Sequence, residues 1–326
     1  MPRLEVAAES WPIAGSFTIS RGSKTAADVV TVSLSDGTHT GHGECVPYPR
    51  YEETVPQVMA ALENAKETIQ RGFTHADIAS LLAPHAARNA LDCALWDLEA
   101  KRGGKPAWLL AGLPEPQPAI TAYTLSLDTP ERMGEAAARA AARPLLKLKL
   151  GRDGDAERLK HIRANAPNSR LIVDANEGWS PGNLAVMLKA CADAGVELVE
   201  QPLPAGNDEA LRDTPRAVTL CADESAHDRG GLDQLIGKYD AINIKLDKTG
   251  GLTEAIALAK AARQRDLKIM VGCMLATSLA MAPAFLLSPL ADFIDLDGPL
   301  LLSRDRDPGI AFDGSLMYPP PSRLWG

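Results

Sequence analysis

The chain has 326 residues, a formal net charge of -8 and an isoelectric point near 5.4, and it is 45% hydrophobic but only 5% aromatic. That length allows a large core and two structural units, and the composition excludes a disordered, fibrous or collagen-like protein. The acidic balance, with no dense Lys/Arg block, argues against a nucleic-acid groove and leaves small-molecule chemistry as the expectation.

The first 117 residues read as an α+β unit. "LEVAAESW", "ADVVTVSLSDG" and "THTGHGEC" alternate as an antiparallel meander with a turn at Asp36-Gly37, and helices are predicted near 54–71 and in "HAARNALDCALWDLEAKRG". "GLPEPQP" (112–118) is the expected linker. Five cysteines (Cys45, Cys93, Cys191, Cys221, Cys273) are scattered without a C-x-x-C pair, and "MPRLEVAAESW" has no apolar leader pattern. Both predict a cytoplasmic protein with reduced thiols.

From Ile120 onward, short apolar strands recur: "ITAYTL", "LLKLKL", "RLIVDA", "VELVEQ", "VTLCAD", "DAINIKL", "KIMVGC" and "DFIDLD". Amphipathic Ala/Leu-rich segments separate most of them. Polar residues near successive strand ends, Lys149, Asp174, Glu200, Asp223 and Lys245, are spaced by 25, 26, 23 and 22 residues, the pitch of βα units. About eight such units predict an α/β fold with a closed (β/α)8-type barrel over 118–299. The uncharged run Ile269–Ala291 is long enough to span a bilayer, yet Gly and Pro interrupt it. It parses as a strand (Ile269–Cys273), a loop and a buried helix, so no membrane association is expected. Residues 300–326, rich in Pro and Gly, are expected to return to the first unit.

In a barrel, side chains at the C-terminal strand ends face the site mouth. Three acids on three successive strands, in "VDAN", "VEQP" and "CADES", would converge there, and like charges that close require a cation. Oxygen-only ligation by Asp174, Glu200 and Asp223 favours Mg2+, with Mn2+ as a substitute. In "PLLKLKLGR", Lys147 and Lys149 share a strand face. They precede the acids, and Lys245 follows them. Lys147 beside Lys149, with partial burial, is expected to favour a neutral amine there. Two bases on opposite faces of one substrate predict a 1,1-proton transfer.

These residues resemble the enolase superfamily, in its muconate-lactonising subgroup, and within it the dipeptide epimerases. Sites of that superfamily as a class use a Lys or His base with one or two Mg2+ ions. "KLKLG", "DAN", "EQP", "DES" and "NIKLDKTGG" carry the resemblance, with "GECVPYPRY" and "AARNALDCALWDLEAK" similar to the capping domain and its junction. It implies an enolase-like barrel, of the (β/α)8 or β7α7 form, under a cap formed by 1–117. It also implies that Lys149 and Lys245 are the acid/base pair, that Asp174, Glu200 and Asp223 bind the metal, and that Lys147 meets the substrate carboxylate. Asn176 of "DAN" and Glu224 are supporting; Glu224 either orients Lys245 or forms a structural ion pair. Asp295 and Asp297 of "DLDGP" would grip a substrate ammonium, and Arg21 and Lys24 of the "TISRGSK" loop would face an anionic side chain or solvent. The implied substrate is a small dipeptide such as L-Ala-L-Glu or L-Ala-D-Glu, from recycling of cell-wall peptides, and a homo-oligomer is compatible with the family. N-acylamino-acid racemase, o-succinylbenzoate synthase and muconate cycloisomerase stand as alternatives on the same scaffold, as does a non-catalytic barrel protein. None of the six histidines falls on a strand end, which disfavours the His-based branch of the superfamily.

Overall fold

The computed structural model describes residues 2–326. Strands β1 (Arg3–Ile19), β2 (Gly22–Ser35) and β3 (Thr40–Cys45) form the antiparallel meander. At its predicted turn, Asp36 Oδ1 accepts the Thr38 and His39 N–H groups at 2.9 and 2.8 Å, an Asx turn that fixes the β2–β3 register. β1 runs further than its alternation suggests. The "TISRGSK" segment is therefore the tip of a long hairpin, turning at Ser20-Arg21, rather than a free loop.

Helix α1 (Val55–Gln70) starts at Thr54, whose hydroxyl caps Gln57 N–H, and buries Val58, Leu62, Ala65 and Ile69 along one stripe. α2 (His75–Leu81) and α3 (Ala86–Gly103) complete the layer beneath the meander. β3 lies so close to α3 that a Cβ on Gly41 or Gly43 would fall 2.1 or 2.0 Å from the carbonyl oxygens of Ala94 and Ala90. Only glycine permits that approach. A short α4 (Ala107–Leu110) and β4 (Ala119–Ile120) lead to the barrel.

The barrel strands are β5 (Tyr123–Leu125), β6 (Leu145–Lys149), β7 (Arg170–Asp174), β8 (Val196–Glu200), β9 (Thr219–Ala222), β10 (Ala241–Ile244), β11 (Lys268–Gly272) and β12 (Phe293–Asp295). Each is parallel to the next. Ala122 N–H donates to Ile294 O at 2.8 Å, and Leu296 N–H to Thr121 Oγ1 at 2.8 Å, which nearly closes the ring. α5 (Pro130–Arg139), α6 (Asp155–Asn165) and α7 (Leu184–Asp193) follow β5, β6 and β7. The alternation then thins: a 3-10 turn (Glu209–Leu211) follows β8, and one-turn α8 (Leu232–Leu235) follows β9. After β10 come α9 (Leu246–Thr249) and α10 (Leu252–Arg263), after β11 α11 (Ser278–Phe285), and after β12 α12 (Gly298–Leu301). The uncharged run resolves into β11, a loop and α11, and no helix among the described residues is long and apolar enough to cross a membrane.

The barrel interior is layered. Ala122, Leu145, Ile172, Leu198, Cys221, Ala241, Met270 and Phe293, one at each strand, form a closed apolar floor. Two residues further along each strand, the same inward face carries Thr124, Lys147, Asp174, Glu200, Asp223, Asn243, Gly272 and Asp295. Leu146, Leu148 and Leu150 point outward into the core beneath the helices.

The C-terminal segment touches both units. Leu302 bridges Ile13, and Arg306 donates to Glu44 at 2.6 and 3.0 Å and to Glu9 at 2.8 Å. β13 (Phe312–Asp313) and β14 (Leu316–Met317) extend β4 as a small sheet, and Trp325 Nε1 donates to Cys93 O at 3.1 Å.

Candidate active site

Asp174, Glu200 and Asp223 end or follow three neighbouring strands. Each offers one carboxylate oxygen, and all three oxygens lie within 4.8 Å of one another. All three residues are at most 2% exposed. Lysines neutralise them. Lys149 Nζ lies 2.6 Å from Asp174 Oδ2, Lys245 Nζ 2.5 Å from Asp223 Oδ2, and Lys147 Nζ 2.6 Å from both Glu200 Oε2 and Asp295 Oδ2.

Burial alone would raise every carboxyl here, but Lys149 and Lys147 hold Asp174 below its ordinary value. Lys245 and Lys248 do the same for Asp223. Glu200 goes the other way: burial, then the neighbouring Asp174, push it up to about 7. Burial disfavours the Lys147 and Lys245 ammonium groups, yet the surrounding carboxylates outweigh it and hold both above the ordinary lysine range. Lys147 is thereby held as an ammonium whose charge is matched by Asp295, Glu200 and Asp174.

Lys149 and Lys245 stand on opposite sides of the ring. β6 and β10 are four positions apart among eight strands, and both ammonium groups line one cavity of about 450 Å³ between barrel and cap. Asp223, Glu224 and Asn176 also line it. The cap contributes Phe17, Arg21, Lys24, Tyr48 and Tyr51 to the opposite wall. Arg21 bonds to Asn176 O at 3.0 Å, Glu177 at 3.1 Å and Glu224 at 2.8 Å. Lys24 lies against the Tyr48 ring, 5.5 Å from its centroid. Glu224 is therefore partnered by Arg21 rather than by Lys245, and burial and Asp223 push it up to about 7.

Lys147, Asp295 and Asp297 are buried and do not line this cavity. Asp297 Oδ2 accepts the Thr124 N–H at 2.6 Å, and burial, then Asp295, raise its carboxyl to about 7. The Asp297 side chain does not cap α12.

The structure adds residues that strand-end reasoning misses. Asn243, two residues before Lys245 on the same inward face, donates to Glu200 Oε1 at 2.6 Å; strand parity was the available signal. Lys248, fully buried, reaches Asp223 from the next helical turn. Glu177 receives Arg50 through two bonds of 2.9 Å and ties the cap to the barrel.

The donor chemistry of the three acids fits a hard divalent cation. They are oxygen-only and buried together, and Glu200 Oε2 has no hydrogen-bond partner, since Lys147 lies close to it but out of alignment.

A model of the enolase C-terminal domain-like family matches residues 132–308, and one of the mandelate racemase/muconate lactonizing enzyme N-terminal domain matches 1–112. The chain is 45% identical to an L-Ala-D/L-Glu epimerase of Escherichia coli K12, covering 96% of this chain and 98% of that one. It is 42% identical to an N-acetyl-D-glutamate racemase of a Pseudoalteromonas species, covering 91% and 95%. A crystal structure of an enolase family member from Agrobacterium tumefaciens, with homology to dipeptide epimerases and with bound sodium and L-Ala-L-Glu, superposes with a TM-score of 0.98 at 52% identity over the whole of both chains. With a matching cap, a matching barrel and the acid and lysine set in between, the chain belongs to the enolase superfamily, in the mandelate racemase/muconate lactonizing enzyme family.

Proposed function

We propose that the protein is an isomerase, a dipeptide epimerase that inverts the α-carbon of the C-terminal residue of a small dipeptide, with L-Ala-L-Glu and L-Ala-D-Glu as the pair interconverted. The observation that carries this reading is the placement of Lys149 and Lys245 on opposite sides of one ring, facing a single cavity beside three clustered acids.

In this reading one lysine, as the free amine, takes the α-proton, and the electron pair of the C–H bond spreads onto the adjacent carboxylate. The opposite lysine, as ammonium, returns a proton to the other face. The net change is one proton moved from one Nζ to the other, so no external acid or base is consumed. Asp174, Glu200 and Asp223 would hold Mg2+, with Mn2+ as a substitute, and the ion supplies positive charge beside the carboxylate that receives the electrons. The acids now paired with Lys149 and Lys245 would then be shared with a cation, which favours release of an amine.

We assign the substrate's carboxylate to Lys147, its ammonium to Asp295 and Asp297, and its side-chain carboxylate to Arg21 and Lys24. Arg21 is already committed to Glu224 and Glu177, so Lys24 is the freer cation of the two. Asn176 and Glu224 hold Arg21 against the barrel. Residues 1–117 act as the cap, 118–299 as the catalytic barrel and 300–326 as a strap between them. A dipeptide of this kind fits recycling of cell-wall peptides in the cytoplasm.

Uptake of deuterium at the α-carbon of L-Ala-L-Glu in D2O, dependent on Mg2+, tests the reading. No exchange with any dipeptide or N-acyl amino acid would overturn it. The similarity to an N-acetyl-D-glutamate racemase favours a second reading, racemisation of N-acylated glutamate. Asp297→Asn separates the two. It keeps an acceptor for Thr124 N–H but removes charge, and it should harm dipeptide turnover far more than turnover of a substrate that lacks an ammonium.

A further inference from the structure

Each of the three clustered acids has one oxygen tied back into the protein and one turned toward its neighbours. Asp174 Oδ1 accepts the Asn176 N–H at 2.9 Å, while Oδ2 faces Lys149. Glu200 Oε1 accepts Asn243 Nδ2 at 2.6 Å, which leaves Oε2 without a hydrogen bond. Asp223 Oδ1 accepts Lys248 Nζ at 2.6 Å, while Oδ2 faces Lys245.

Two of these ties belong to one device. Lys248 is fully buried, and its ammonium has three N–H donors. They are matched by three acceptors: Asp223 Oδ1, Asp223 O at 2.5 Å and Asn243 O at 2.9 Å. Nothing remains free to rotate. The Asn243 side chain, in turn, occupies space that only a glycine leaves open, since a Cβ on Gly272 would lie 2.5 Å from Asn243 Oδ1. Gly272 thus admits Asn243, Asn243 ties Glu200 and anchors Lys248, and Lys248 ties Asp223.

We propose that Asn243 and Lys248 are positioning residues that restrict Glu200 and Asp223 to one oxygen each, and so make the site select Mg2+ against Ca2+. The physical basis is ligand count. Mg2+ demands an octahedron of single oxygens and keeps several waters, whereas Ca2+ gains from six to eight oxygens and readily takes carboxylates through both. A carboxylate whose second oxygen is held by a buried ammonium can offer that oxygen only by stranding the ammonium, which is costly. Neither residue touches substrate in this scheme, and both act through the acids.

The inference rests on the reading above only in that a divalent cation binds at the three acids, and the test reads metal binding without substrate. Calorimetric titration of Mg2+ and of Ca2+ into the wild-type protein, Lys248→Met and Asn243→Leu gives the ratio of the two affinities. In either variant the ratio of Mg2+ to Ca2+ affinity should fall by about tenfold or more, mainly through tighter Ca2+ binding; such a change corresponds to about 1.4 kcal/mol. A ratio unchanged in folded variants would overturn the inference and leave the epimerase reading intact. Absence of Mg2+ binding by the wild type would overturn both. Should the variants fail to fold, crystals of the wild type soaked in Ca2+ decide: Glu200 and Asp223 each bound through a single oxygen supports the inference, and Asp223 bound through both with Lys248 displaced overturns it.

Discussion

Two levels of the same barrel, one strand-residue pair apart, have opposite chemistry. The floor is eight apolar side chains in mutual contact. The level above packs Lys147 with Asp174, Glu200, Asp223 and Asp295 at equal burial. The floor lowers its energy by leaving water and needs no partner. The upper level is stable only if every charge is matched, and the matching that suffices without substrate is what chemistry must rearrange. Stability and reactivity are therefore separated along each strand, by about 7 Å at two residues' rise.

The largest effect should come from the upper level. Lys149→Ala and Lys245→Ala should each lower epimerisation by about 10³-fold or more, at the upper part of the range for general acid–base groups. Turnover followed by polarimetry, alongside circular dichroism to confirm folding, checks this. If either variant kept its activity, the two-base mechanism would be wrong. The matching change below is Leu198→Ala, two residues before Glu200 on β8 and fully buried. It should cost about 3 kcal/mol in urea unfolding by leaving a cavity, with turnover little changed. A large loss of kcat at normal stability would show that the two levels are not separable.

Metal should link them. With Mg2+ at a hundredfold excess over its Kd, the folded state gains about 2.7 kcal/mol, seen as a higher thermal midpoint that EDTA abolishes. Asp223→Asn should lose most of this gain while leaving the floor intact.

Much of this organisation is legible in the sequence because strand periodicity and strand-end acids are local signals. The eight strand segments, the Asp36-Gly37 turn and the convergence of Asp174, Glu200 and Asp223 all follow from spacing. What is not legible depends on packing between distant segments. The reach of β1 to Ile19 comes from pairing with β2, and the thinning of helices after β8 goes with loops whose polar groups are satisfied by the neighbouring unit, as Asp208 is by Ser225, Lys238 and Tyr239. Lys248 lies in "KLDK", where a lysine one helical turn after another reads as solvated surface; only the fold shows it sealed beneath Asp223. The same holds for charge state. Adjacent lysines imply mutual repulsion, but the acids that outweigh it arrive from other strands.

Asp247 offers the finest comparison, because it is a buried acid that no lysine partners. Its Oδ1 accepts the Val46 N–H at 3.0 Å and Asn89 Nδ2 at 2.8 Å at the seam of cap and barrel. Whereas lysines hold Asp174 and Asp223 down, burial pushes Asp247 up to about 7. The sign of its effect on stability follows. The unfolded chain releases this proton near pH 3.8 and the folded chain only near 7, so this group makes stability fall as pH rises between those values and stay level above. Asp247→Asn keeps the accepting oxygen and has no proton to lose. Relative to wild type it should be more stable at pH 8 by up to about 4 kcal/mol, since the shift spans about three pKa units and each corresponds to about 1.4 kcal/mol. The advantage should vanish by pH 4. Thermal midpoints of both proteins measured from pH 4 to 8 check this, and a variant equally destabilised at both ends would show that its hydrogen bonds, rather than its burial, govern this carboxylate.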